Sequence, residues 1–121
     1  MLLFIEKIRW YVLSSIQYWG GIIMHYLIIA HDGSDEKALE RRLAARERHF
    51  GSITKLKEEG KALYGAALID DNGIMKGSML IMNFESQGEL EHYLATEPYI
   101  TGKVWQTVDV KPCRVPELFL T

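Results

Sequence analysis

The stretch His25-Tyr26-Leu27-Ile28-Ile29-Ala30 has the length of a strand, and its apolar residues follow one another without polar alternation. A strand with one face in water alternates, so an unbroken run is expected where both faces are covered, in the middle of a sheet. Met79-Leu80-Ile81-Met82 has the same character. Two strands of this kind in one small chain require a covering layer on each side of the sheet.

Working outward, His31-Asp32-Gly33-Ser34 reads as a turn, and the segment from about Asp35 to Glu59 is rich in helix formers and closes at Gly60. Leu39, Leu43, Phe50, Ile53 and Lys57 fall within ~40° of one direction at ~100° per residue, which predicts an amphipathic helix with that stripe inward. Ala62 to Ile69 is a second strand, interrupted by Gly65, and Asp70-Asp71-Asn72-Gly73 has the chemistry of a hairpin turn. Its partner is placed at Gly77 to Phe84. Ser86 with Glu89 three residues on forms a capping box, and Leu90, Tyr93 and Leu94 give the second helix its buried side before Pro98. A last strand is expected from about Val104 to Lys111.

The order β-α-β-β-α-β predicts an α+β fold, a ferredoxin-like sandwich with two helices on one face of a four-stranded antiparallel sheet. Helices on one face leave the other bare, although the first and third strands are apolar on both. An open apolar face of several hundred Å² is rarely left in water. At ~25 cal/mol per Å², covering it contributes on the order of ten kcal/mol before association costs. A homodimer packed through its sheet faces is the expected solution.

The 121 residues allow one domain with one core. A net charge of −2, with acids and bases spread along the chain, provides no basic stripe for a phosphate backbone, so nucleic acid is not an expected partner. The single cysteine, Cys113, cannot close an internal disulfide, and no Cys/His cluster has zinc spacing. The chain therefore reads as cytoplasmic and metal-free, and it has no glycine-rich phosphate loop. Residues 1–23 differ from the rest. From Trp10 the apolar run reaches the ~20 residues of a membrane span only by borrowing the strand that follows, and no small-x-small site marks signal cleavage. They are read as a translated leader ahead of Met24, with an amphipathic arm packed on the domain or on a membrane surface as the alternative; residues 24–121 are the domain.

Across the domain the motifs resemble the YCII-related family. Tyr26, Ala30 and Asp32 precede Leu39-Glu40-Arg41-Arg42-Leu43, and then Arg46 and His49 match an Arg-x-x-His signature. Gly60, Gly65, Gly77-Ser78, Phe84-Glu85-Ser86, Glu97-Pro98-Tyr99, Gly102, Val108, Val110, Lys111 and Pro112 continue the pattern in order. The family's Asp-Pro-aromatic triplet is here Glu97-Pro98-Tyr99, a carboxylate on an arm one methylene longer, and Ala66 replaces a proline after the strand glycine. The resemblance implies a dimeric α/β-barrel assembly, a catalytic histidine and an acid. It also implies chemistry akin to dehydrochlorination of chlorinated aromatics or isomerisation of lactones.

His49 lies ~80° from the centre of the apolar stripe, at the border of core and water where a substrate can reach it. Imidazole suits the taking and returning of a proton near neutral pH, and Glu97, set outside helical hydrogen bonding by Pro98, is the carboxylate expected to orient it. The plainer reading is a structural histidine. Arg46 falls within ~20° of the middle of the stripe, where an unpaired guanidinium is costly, so it is expected to meet a carboxylate, a backbone carbonyl or a bound anion. The plainer reading is a fixed ion pair, for which Asp32 is a candidate, or a side chain that snorkels out to water, and the functional one is an anchor for the carboxylate or phenolate of a substrate. Ser78 is a candidate donor to substrate rather than a nucleophile, since no strand-turn-helix elbow surrounds it. Tyr99 is a candidate wall of the cleft. His25 and His92 read as surface or strand-end residues, and His31 beside Asp32 lacks a third metal ligand.

Together these predict a small cofactor-independent enzyme, a lyase or isomerase moving protons on a cyclic or aromatic acid. His49 and Glu97 would be the catalytic residues, and Arg46, Ser78, Asp32 and Tyr99 the substrate-binding ones. A binding or regulatory module of the same fold is the other expectation, because fold does not choose between them. Beyond a second copy and a small-molecule ligand, no partner is expected, membranes included.

Overall fold

The computed structural model describes residues 8–10 and 25–120. The unbroken apolar run becomes β2 (His25–Asp32), the central strand of the sheet. It lies antiparallel between β4 (Met75–Met82) and β5 (Trp105–Cys113), and β3 (Ala62–Ile69) pairs antiparallel with β4. Helix α1 (Ala38–Glu58) joins β2 to β3, and α2 (Gln87–Thr96) with the one-turn α3 (Pro98–Thr101) joins β4 to β5. The ferredoxin-like order holds from β2 to β5.

Among the described residues the sheet has five strands rather than the four antiparallel ones expected, because β1 (Ile8–Trp10) adds a parallel strand to the edge of β5. Without it, β5 would present a row of unpaired backbone groups. Ile8 pairs with Val108 and Trp10 with Val110, so both face the core, while Arg9 holds Asp109 through two hydrogen bonds. The remainder of residues 1–23, on which the leader reading turns, lies outside the described residues.

Residues paired directly across antiparallel strands share a face. Tyr26, Ile28 and Ala30 therefore lie beside Met82, Leu80 and Ser78, and beside Val110 and Val108, on the face the helices bury. Leu27, Ile29, Met79 and Ile81 point the other way and are only half-buried. The chain end crosses part of that second face. There the Val115 N–H donates to His25 Nδ1 at 2.9 Å, and the Tyr64 hydroxyl donates to the Phe119 carbonyl. His25 is thus a buried strand end rather than a surface residue.

Helix α1 departs from its expected orientation. Its buried line is Ala38, Arg42, Ala45 and His49, whereas Leu43 and Phe50 are each 51% exposed. The apolar stripe predicted to face inward sits to one side, and small and charged residues occupy the contact with the sheet. Helix α2 starts as expected: Ser86 Oγ accepts the Glu89 N–H at 3.1 Å. The Glu89 carboxylate pairs with Lys61 at 3.0 Å. The hairpin turn is held by Asp70, whose Oδ1 accepts the Asn72 and Ile74 N–H groups, with Gly73 at φ +79°.

Gly77 is required by close approach, since a Cβ there would lie 2.3 Å from the Ala30 carbonyl oxygen. Gly51, inside α1, has open space around it. Urea denaturation is expected to show Gly77→Ala destabilised by about 3 kcal/mol, an overpacking cost, and Gly51→Ala stabilised by about 0.5–1 kcal/mol through helix propensity.

Candidate functional site

Between α1 and the β3–β4 end of the sheet lies a cavity of about 390 Å³. It exists because β3 turns Gly65 and Ala67 toward the helix, opposite Leu80 and Ser78, and neither fills the space. Phe50, Ile53 and Met75 give it apolar walls, while Arg42, Arg46, His49, Ser78 and Tyr99 line it with chemistry.

His49 and Glu97 meet. Nδ1 of His49 lies 2.9 Å from both carboxylate oxygens of Glu97. Glu97 is fully buried, and it also accepts the Tyr93 hydroxyl at 2.6 Å and the Tyr99 backbone N–H at 2.8 Å. The local sequence explains the placement. Pro98 cannot continue α2, so Glu97 takes extended backbone, ends one helix and caps the next with its own side chain. A carboxylate accepting at Nδ1 assigns a ring proton to that nitrogen, so that in the neutral ring Nε2 is the acceptor. The ring is clamped by Tyr99, stacked at 3.9 Å and 12°, and by the edge of Trp105 at 6.1 Å. His49 is buried at 6% exposure and borders the cavity rather than open water.

The buried arginine is Arg42, 4% exposed, and not Arg46, which is exposed at the cavity mouth with its guanidinium 5.0 Å from the Phe50 ring centroid. Asp32 is likewise the partner of Arg42: both its oxygens lie 3.1 Å from Nη1. Nη2 of Arg42 donates to Ser78 Oγ at 3.0 Å, and Trp105 Nε1 donates to the same oxygen at 3.1 Å. Arg42 also lies 4.8 Å from the Tyr99 ring centroid. The spacing held a signal for Arg42. It precedes His49 by seven residues, which places the two within ~20° on a helix. Tyr93 and Trp105 also support the site and were not foreseen; Tyr93 is signalled only by standing four residues before Glu97. Among the described residues no group of three His, Cys, Asp or Glu side chains could hold a metal, and no helix is long and apolar enough to cross a membrane.

Burial pushes the Asp32 carboxyl up, opposed by Arg42. Burial also raises Tyr99, and it raises Tyr93 well above the usual phenol value, with the Glu97 charge adding to the effect. A folded-state acid raised in this way stabilises the native chain fully below its unfolded pKa of about 10 and loses that contribution as pH rises beyond it. Urea midpoints measured from pH ~8 to ~11 are therefore expected to fall above pH ~10, with a shallower fall in Tyr93→Phe.

The model of the YCII-related domain matches residues 24–114. Protein YciI of Escherichia coli O6:H1 is 33% identical over 95 residues, covering 74% of this chain and 95% of its own. An uncharacterized protein of Haemophilus influenzae is 34% identical over the same lengths. Among solved structures, the 5-chloro-2-hydroxyhydroquinone dehydrochlorinase TftG of Burkholderia phenoliruptrix, in complex with 2,5-dihydroxybenzoquinone, superposes with a TM-score of 0.66 at 22% identity. The match covers 78% of this chain and 97% of that one, and it shows a shared fold. Motif order, fold and sequence identity agree, and the chain belongs to the YCII-related family.

Proposed function

We propose that this protein is a small cofactor-independent enzyme that moves a proton on a compact cyclic or aromatic acid, in the manner of a lyase or isomerase. One observation carries the reading: His49 is tied through Nδ1 to a fully buried carboxylate and borders a cavity, and no described residue bonds its Nε2. Nε2 takes a proton from the bound molecule, and the imidazolium so formed is stabilised by Glu97. Tyr93 and the Tyr99 N–H hold Glu97 in place, so the dyad keeps its geometry through the cycle. Arg46 at the mouth attracts the carboxylate or phenolate of the substrate, Tyr99 walls the cavity, and Asp32 acts through Arg42.

The ligand named with the TftG structure supports this class of molecule. In loss of HCl from a chlorinated hydroquinone a base takes the proton, the electron pair left behind forms a new double bond, and chloride departs with the electron pair of the carbon–chlorine bond. The reading extends to assembly: two chains cover the half-buried Leu27, Ile29, Met79 and Ile81 with each other, sheet to sheet.

Chloride release from 5-chloro-2-hydroxyhydroquinone, and solvent deuterium uptake by a panel of cyclic diketones and lactones, test the chemistry. The wild-type chain is expected to turn over at least one of these, and His49→Ala to lose about 10²–10⁴-fold in rate with its fold intact. An unchanged rate in His49→Ala removes the dyad from the reaction. Sedimentation is expected to give a dimer for the wild type and a monomer for Ile29→Lys; a folded wild-type monomer at high concentration overturns the assembly.

A further inference from the structure

Ser78 Oγ accepts two hydrogen bonds, from Arg42 Nη2 at 3.0 Å and Trp105 Nε1 at 3.1 Å. A hydroxyl oxygen has two lone pairs and one hydrogen. Both lone pairs are engaged, so the hydrogen is the only bonding capacity left. No described group accepts it, and Ser78 borders the cavity.

The direction cannot reverse. A guanidinium and an indole N–H donate only, and neither can accept from serine. Their positions are also fixed: Asp32 holds Arg42 at 3.1 Å with both oxygens, and Trp105 is 3% exposed against Tyr99. Two donors on one hydroxyl polarise its O–H bond and strengthen what it donates. They also remove the lone pair a nucleophile would need. Arg42 Nε is buried without a partner among the described residues, so this wall has more donors than acceptors there. Asp32 balances the charge of Arg42, and no carboxylate lies within ion-pair distance of Arg46 among the described residues. The cavity thus has an excess of positive charge at its mouth.

Resting on the reading of this cavity as the substrate site, we propose that Ser78 is a one-way donor to an anionic oxygen of the bound molecule. The site therefore selects phenols and enols in their ionised form, and Arg42 and Trp105 are the positioning residues that fix the direction of the bond. The electron balance is simple. When Nε2 of His49 takes a proton from a carbon or oxygen of the ligand, the electron pair stays on the ligand and spreads onto the oxygen that Ser78 faces. No oxidant or further reactant is needed.

Two probes of similar shape test this on the full chain: 4-nitrophenol, whose phenolate is coloured, and the neutral nitrobenzene. The wild type is expected to bind the phenolate more tightly, so that bound 4-nitrophenol ionises at lower pH than the free probe. Ser78→Ala is expected to lose about tenfold in phenolate affinity, the weight of one hydrogen bond to a charged group, and to bind nitrobenzene within about twofold of wild type. Trp105→Phe, which keeps the packing but frees a lone pair, is expected to move the ionisation of bound probe part of the way back. Equal loss for both probes in Ser78→Ala, or no loss for either, overturns the inference. If the wild type binds nitrobenzene without preferring the phenolate, the inference falls while the cavity keeps its role. If the wild type binds neither probe, both fall.

Discussion

The buried carboxylate of Glu97 is the constraint on which the rest of the site depends. An ionised carboxylate in a dry interior is costly unless its oxygens are satisfied. Here it accepts a phenol, a backbone N–H and an imidazole, each from a different position in the fold. Tyr93 comes from α2, Tyr99 from α3 and His49 from α1, so one side chain joins these three helices. The break between α2 and α3 follows from the same residue, because Pro98 frees Glu97 from helical backbone and lets it cap the next turn.

A second buried charge shapes α1. Arg42 reaches Asp32 and Ser78 beneath the helix, and Ala38 and Ala45 let the helix come close enough for it to do so. The inner side of α1 is therefore occupied by groups that do chemistry or make room for it. Its bulkier apolar residues, Leu43 and Phe50, are turned aside, with Phe50 forming part of the cavity wall and supporting the guanidinium of Arg46.

Most of the fold is legible in the sequence because its signals are local. Unbroken apolar runs, a hairpin turn at Asp70–Gly73 and a cap at Ser86 each specify an element from a few neighbours. The meeting of His49 with Glu97 is legible through the family pattern. Hydrophobic periodicity fails on α1, because it assumes that the buried side of a helix is its greasiest side. It therefore points to Arg46 and passes over Arg42. The strand β1 is illegible for another reason: three residues pairing with a strand a hundred positions away leave no local trace.

The room beneath α1 is made by subtraction, by what β3 lacks at Gly65 and Ala67. The strand that sets how large a guest can be is thus separate from the helices that hold imidazole and carboxylate. Within one such scaffold, a methyl group added at Gly65 narrows the chamber by displacing Leu80, whose Cδ2 lies 2.9 Å from where that carbon would stand, and His49 and Glu97 keep their places on other elements.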